Sequence, residues 1–488
     1  MTTPAAPGGT PAPHATSVLA LTSLGSLMVA VDSTIVILAL PTMARELDAS
    51  LSSVIWTVLI YLLVTATLTT QAGRLGDILG IGPVYNGGFA VFTIGSAFCG
   101  FAPNADVLIA ARAAQAVGGA IMFANGAALL ARVFPPRQRG RAFGYLVFGW
   151  SIGAILGILL GGLITTTLGW RYIFFINLPI GAIAVALGLR TLPRGERKKA
   201  SFDVPGLLSL AGALGLISYG AIDFASYGLD LANGLEVLAG LALLPLFFLV
   251  ELHRPDPMLR VRELGRRLLG FSLVAGFLQS LGYLSVVFLL TMYLQGIRGL
   301  TPLDASLLLV PGYLLGAFAG PFMGRRVDRF GPRPLATAGI LAMLVAVAGY
   351  SFLGPDTWLG WVPVISLVGG VGSGMFYPAN TTAIMSQATP ETFGAISGLR
   401  ATLGNMGTLL SFVLSLTIAS ASVSRATADA VFLGSGTIAG GVSTAFLNGI
   451  HAAFLGAAAA LVLAAVCSWS RGRGARAPLV GAPFAPEP

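Results

Sequence analysis

The chain is short of charge. Its 488 residues include 28 Lys and Arg and 19 Asp and Glu, a tenth of the total, against about a quarter in soluble proteins. A soluble chain of this length carries a charged exterior over several domains, so a water-facing surface is excluded. Cysteine is scarce as well. Cys99 and Cys467 stand alone, which excludes a disulfide framework and a cysteine zinc site. The histidines, His14, His253 and His451, are scattered and form no metal cluster. Lysine occurs only at Lys198 and Lys199, neither of them behind a G-x-x-x-x-G. There is no P-loop, so direct use of ATP is not expected. Residues 1–15 lack the basic n-region of a cleaved signal peptide.

What the chain has is apolar length. Hydrophobic residues make up 55% and mean hydropathy is +0.85, which excludes intrinsic disorder. The 64 glycines follow no G-X-Y period, so collagen is excluded too. Between residues 17 and 469 we count fourteen apolar runs separated by short polar breaks, each long enough to cross about 30 Å of hydrocarbon as a helix. The second is placed at 51–72, the third at 83–103 and the tenth at 304–323. The runs are too long and too continuous for barrel strands, which alternate over about ten residues. The fold class is therefore an all-α polytopic membrane protein with fourteen transmembrane helices.

The net charge of +9 reports topology, and no nucleic-acid partner is expected. With the N-terminus in the cytoplasm, the inner segments hold 22 of the 28 basic residues. The outer loops hold four, Arg45, Arg171, Arg298 and Arg425, while Arg112 and Arg400 lie within spans. Basic residues are retained on the cytoplasmic side, so both termini are expected there.

The chain also repeats itself. Residues 73–80 read GRLGDILG and residues 324–331 read GRRVDRFG, 251 positions apart. Residues 119–125 (GAIMFAN) are echoed by 374–380 (GMFYPAN) at an offset of 255. Equivalent topology in two halves implies a parallel repeat about an axis along the membrane normal. Six spans precede an extra pair and six follow it. The expected organisation is a tail at 1–15, a six-helix half at 16–200, two additional helices at 201–266, a second half at 267–470 and a basic tail at 471–488.

These features resemble the major facilitator superfamily, and in detail its fourteen-spanner drug:proton antiporters. Residues 32–41 (DSTIVILALP) resemble the family's first-span motif, D-x-T-I-V-N-V-A-L-P. Residues 112–120 (RAAQAVGGA) resemble its fourth-span R-x-x-Q-G-x-G-G-A, and 170–181 (WRYIFFINLPIG) the opening of its sixth span. Residues 293–302 (YLQGIRGLTP) resemble the segment leaving span 9, and the paired G-R-x-x-D-x-x-G loops are the superfamily hallmark. The chain departs from the family at Ile158, where antiporters usually have proline, and at Gly404-Asn405, where many relatives have Arg-Gln.

Asp32 is the residue that most needs explaining. A carboxylate at mid-span costs about 2.5–3.5 kcal/mol on insertion scales, so it either pairs structurally or carries a proton. Arg112, on span 4 at a similar depth, is its expected partner. Arg400 lies close enough to the cytoplasmic end of span 13 to snorkel, which reads as a structural role. The triplet Gly370, Gly372, Gly374 sits inside an apolar span and fails the context test for a nucleotide loop.

The resemblance implies proton-driven export of amphiphilic drug-like compounds by alternating access, with Asp32 and Arg112 coupling the proton. It implies gating loops built on Gly73, Arg74, Asp77 and Gly80, and on Gly324, Arg325, Asp328, Arg329 and Gly331. Their turns are expected at Gly73, Gly80, Gly324 and Gly331. It also implies a cavity lined by Trp56, Tyr61, Gln115, Asn125, Gln279, Tyr283, Phe376, Tyr377 and Asn380. The expected partners are a small amphiphilic substrate, protons and the bilayer of the plasma (cell inner) membrane. No cofactor is expected, the proton gradient being the energy source, and the chain is expected to be a monomer and not an enzyme. The alternatives are an exporter of a lipid or an endogenous secondary metabolite, and a non-transporting receptor or scaffold.

Overall fold

The computed structural model describes residues 14–134, 136–193, 202–227, 230–254, 257, 259, 261–388, 393–421 and 440–472. The two tails lie outside that set apart from residues 14, 15, 471 and 472, as do Lys198, Lys199 and Arg425. Fourteen helices are long and apolar enough to cross a membrane, and no strand occurs among the described residues. The first half comprises α1 (Ala15–Glu46), α2 (Leu51–Leu79), α3 (Ile81–Phe101), α4 (Ala105–Val133), α5 (Pro136–Thr167) and α6 (Tyr172–Thr191). The additional pair is α7 (Val204–Tyr227) and α8 (Leu231–His253). The second half comprises α9 (Arg267–Ile297), α10 (Pro302–Phe330), α11 (Pro332–Tyr350), α12 (Trp361–Met385), α13 (Phe393–Ser420) and α14 (Gly440–Ser470). An even number of crossings puts Ala15 and Ser470 at one end of the bundle. We call this the terminal end and the other the far end.

Short polar residues start the helices where their side chains satisfy backbone donors that the first turn leaves open. Ser50 accepts from Ser53 N at 3.3 Å, Asn104 from Val107 N at 2.9 Å and Thr301 from Asp304 N at 3.1 Å. The repeat is visible in the backbone. Gly80 (φ 101°) separates α2 from α3, and Gly331 (φ 82°), 251 residues later, separates α10 from α11. A side chain is strained at such φ values, and glycine is not. The expectation for Gly73 and Gly324 is corrected here. Both lie inside helices, because α2 and α10 run on to Leu79 and Phe330.

Each packing contact of the first half has a counterpart eight helices later. α1 packs on α5 and α9 on α13, α3 on α4 and α11 on α12, α2 on α4 and α10 on α12, α3 on α6 and α11 on α14. A stripe of glycines makes the first of these contacts close. Added Cβ atoms at Gly149, Gly153, Gly157 and Gly161 would stand 2.5–2.7 Å from the carbonyl oxygens of Ser23, Leu27, Val31 and Ile35. The spacing of four on both helices keeps one smooth seam.

The halves meet through α2 on α13 and α5 on α10. Thr70 and Thr402 share a hydrogen bond of 2.8 Å, and Asn405 donates to Thr69 Oγ1 at 3.4 Å. At the far end Gln295 Nε2 donates to Leu38 O at 3.2 Å, joining α9 to α1. There the buried run Val31–Ala44 of α1 shares one apolar core with Val286–Leu294 of α9. Toward the terminal end, Ala15–Val29 of α1 packs into a core built from the first half alone. α1 thus meets the second half at the far end and parts from it toward the terminal end, where α2 and α13 still join the halves.

The additional pair lies at the edge. α7 packs on α2 and α13, while α8 leaves Leu231, Leu235, Leu238, Leu241, Leu246 and Leu249 exposed, an apolar face suited to lipid. A buried polar node fixes the pair in place. Gln71 of α2 donates to Asp203 O at 3.2 Å and accepts from Asp203 N at 3.4 Å. Asp203 Oδ1 caps Gly206 N at 3.0 Å, and Glu251 of α8 accepts from Leu259 N at 2.6 Å.

Candidate functional site

Asp32 stands midway along α1 and is fully buried. Arg112 Nη1 donates to Asp32 Oδ2 at 2.6 Å. Gln115, one turn along α4, donates from Nε2 to Asp32 Oδ1 at 2.8 Å and accepts from Arg112 Nη1 at 2.7 Å. The i, i+3 spacing puts Arg112 and Gln115 on one face of α4. Arg112 Nε donates to Thr57 O of α2 at 3.1 Å. The guanidinium carbon lies 4.4 Å from the centre of the Tyr61 ring and 5.7 Å from that of Phe174. Three helices therefore close a charge-neutral, hydrogen-bonded node with both carboxylate oxygens occupied. A buried pair tolerates its lost hydration only with this degree of satisfaction. A proton on Asp32 would cancel the attraction and leave the guanidinium to Gln115, Thr57 O and the Tyr61 ring.

The first G-R-x-x-D-x-x-G segment binds elsewhere. Asp77 pairs with Arg132, at the end of α4, at 3.0 Å, so this contact lies within the first half. Arg74 donates to Pro257 O in the chain that follows α8. In the second copy, Arg329 lies over the Phe330 ring at 5.4 Å, and the side chains of Arg325 and Asp328 lie outside the described set.

The residues expected in the cavity divide. Tyr61 and Gln115 belong to the Asp32 node. Gln279 of α9 is buried and donates to Tyr377 Oη at 3.4 Å and to Met343 Sδ at 3.5 Å. Tyr377 itself is 43% exposed. An added Cβ on Gly369 of α12 would sit 2.2 Å from the hydroxyl of Tyr283, so that side chain lies across α12.

Four of the residues make packing or bracing contacts. Trp56 faces Tyr219 of α7, with ring centres 6.3 Å apart. Phe376 is buried in the apolar core. Asn125 donates to Ala72 O and Ile121 O, both at 2.9 Å, which ties α4 to α2. Asn380 donates to Ser272 O at 3.1 Å and accepts from Arg471 Nη1 at 2.9 Å. Their amides are engaged by backbone and guanidinium, so neither is aimed at open space.

The sequence reading missed Thr57, the Gln71–Asp203–Glu251 node and Arg471. Arg471 is buried at the end of α14, although it was counted with the basic tail. For Asn125 and Asn380 a usable signal existed, since both close the repeated 119–125 and 374–380 segments, and each braces its helix on another, α4 on α2 and α12 on α9.

A sequence profile of the Major Facilitator Superfamily matches residues 22–412. The chain belongs to this superfamily. A "Tetracenomycin C resistance and export protein" of Streptomyces glaucescens is 30% identical over 487 residues, covering 92% of this chain and 90% of that one. A "Riboflavin transporter RibZ" of Clostridioides difficile (strain 630) is 30% identical over 391 residues, covering 80% and 85%. Among solved structures, a bacterial homologue of the human lysosomal transporter Spinster, inward-facing and unoccupied, superposes with a TM-score of 0.62. It is 17% identical and covers 95% of this chain and 98% of that one. This facilitator is thus a membrane transporter of small substrates and not an enzyme.

Proposed function

We propose that this facilitator exports amphiphilic drug-like compounds in exchange for protons by alternating access. Its place is the plasma membrane, with both termini in the cytoplasm. The single observation carrying the reading is the buried Asp32–Arg112–Gln115 node, which ties a titratable group to the packing of α1 on α4. The 22 basic residues on the terminal side support the orientation. The relative named for tetracenomycin C resistance and export supports the cargo class.

In this reading the arrangement described above is one of two states. Protonation of Asp32 loosens its contact with Arg112 and shifts α1 along the glycine seam of α5. Substrate and proton then favour opposite arrangements, which is all that coupling requires. One proton crossing 150–200 mV supplies about 3.5–4.6 kcal/mol at roughly 2.3 kcal/mol per 100 mV.

The test is reconstitution. Proteoliposomes with an acidic lumen should accumulate ethidium, rhodamine 123 or carboxyfluorescein while the pH gradient lasts and lose it when nigericin collapses the gradient. Movement of none of these dyes, or movement indifferent to nigericin, rejects proton-driven export. A second reading, a carrier of an endogenous aromatic metabolite, is favoured by the relative named as a riboflavin transporter. Competition by riboflavin in the same assay separates the two.

A further inference from the structure

Arg400 sits two turns into α13 and has no hydrogen-bond or ion-pair partner among the described residues. Its Nε is buried and unpartnered. Its charge lies within electrostatic reach of Tyr377 on α12. Tyr377 in turn accepts from the buried Gln279 of α9 and interacts with Tyr313 of α10. Arg400, Tyr377, Gln279 and Tyr313 thus come from four helices of the second half, and Tyr377 keeps 43% of its surface exposed. Gln279 Oε1 is likewise buried without a partner. One turn above Arg400, Gly404 meets nothing within 4 Å of an added Cβ, which leaves room beside the guanidinium.

The charge balance decides what this space accepts. Asp32 and Arg112 cancel each other at 2.6 Å. Among the described residues, Arg400, two turns into α13, has no carboxylate partner. Its Nε is a buried donor without a partner, and an anion of matching geometry can satisfy such a group. Guanidinium favours planar carboxylates and phenolates and stacks on aromatic faces. Tyr283, Tyr313 and Tyr377 add ring surface, and Gln279 Oε1 adds an acceptor for a hydroxyl.

We propose that Arg400, with Tyr313, Tyr377 and Gln279, forms the substrate subsite of the second half, and that it selects aromatic compounds bearing an acidic group. This rests on the transport reading above and names its substrate class. It also makes transport strongly electrogenic. A monoanion leaving as one proton enters moves two charges in the same electrical sense, whereas a monocation exchanged for one proton moves none.

The test is binding, which needs no transport. Carboxyfluorescein and rhodamine 123 share a xanthene body and differ in charge. Fluorescence anisotropy with the purified full chain should give at least tenfold tighter binding of carboxyfluorescein. Arg400→Gln should weaken carboxyfluorescein about tenfold to a hundredfold, the range of a charged hydrogen bond, and leave rhodamine 123 within twofold. Arg400→Lys keeps the charge and should retain most of the preference, which controls for folding. Tighter binding of rhodamine 123, or an Arg400→Gln effect that is absent or equal for both dyes, overturns the proposal. Nigericin supplies the separating arm. Dye preference in binding is measured without any gradient and tests the subsite alone, whereas transport indifferent to nigericin rejects the export reading, so the two failures are told apart.

Discussion

Replacing Asp32 by Asn separates the structural and energetic duties of one buried carboxylate. Asn keeps the shape and one acceptor oxygen, but removes the charge that faces Arg112 at 2.6 Å. Breaking a buried pair by neutralising one partner costs about 3–5 kcal/mol, because the other charge stays buried and unpaired. The retained acceptor and the Arg112 bonds to Gln115 and Thr57 O place Asp32→Asn at the lower end of that range. The apparent Tm should fall by several degrees. Adding Arg112→Gln removes the orphaned charge and should restore most of the loss. Neither variant can carry the proton. With the drive of one proton gone, an accumulation ratio of about 300- to 2,000-fold, at roughly 1.4 kcal/mol per decade, should collapse to unity. Passive counterflow of labelled for unlabelled substrate should persist. The assay is dye accumulation in proteoliposomes with and without a pH gradient, beside counterflow in the same vesicles. If Asp32→Asn accumulates dye within twofold of the unaltered protein, the coupling argument is wrong.

The glycines of the repeated loops should divide by backbone geometry. Gly80→Ala and Gly331→Ala place a side chain at φ 101° and 82° and should each cost about 1–3 kcal/mol, read as lower Tm. Gly73→Ala and Gly324→Ala meet only single carbon atoms at 3.9 Å and should be neutral or slightly stabilising. At the far end, a Cβ on Gly162 would stand 2.6 Å from Pro302 O and 2.5 Å from Ser306 Oγ. Gly162→Val should therefore part α5 from α10 and raise the labelling of a cysteine placed at residue 302. Arg132→Ala breaks a half-exposed pair with Asp77 and should change stability by less than about 1 kcal/mol, as melting in low and high salt would show.

Much of the fold was legible in sequence because hydrocarbon leaves the backbone few options. Every buried N–H and C=O must be satisfied within the span, so fourteen long apolar runs mean fourteen helices. The 251-residue repeat announced a two-fold arrangement, and Gly80 and Gly331 carry it out at equivalent turns. Helix ends were less legible. α2 and α10 run past their apolar runs to Leu79 and Phe330, since a helix continues into the headgroup region through polar residues. Cavity residues were least legible. Trp56, Asn125, Phe376 and Asn380 are residue types that suit a wet cavity and a helix contact equally well. Which face of a helix meets a neighbour depends on the neighbour.

The sequence by itself determined the membrane class, the number of crossings, the two-fold repeat and the rarity of charge at mid-span. These follow from local quantities: run length, hydropathy and motif spacing. Only the tertiary structure decided which of those few charges are cancelled. Asp32 and Arg112 lie 80 residues apart and meet at 2.6 Å, whereas Arg400 meets no counter-charge among the described residues. Their helices are brought together or held apart by the glycine seam, the far-end core and the α2–α13 contact. Electrostatic compensation acts over a few ångströms of space and has no signature in chain separation, so the folded arrangement had to settle it.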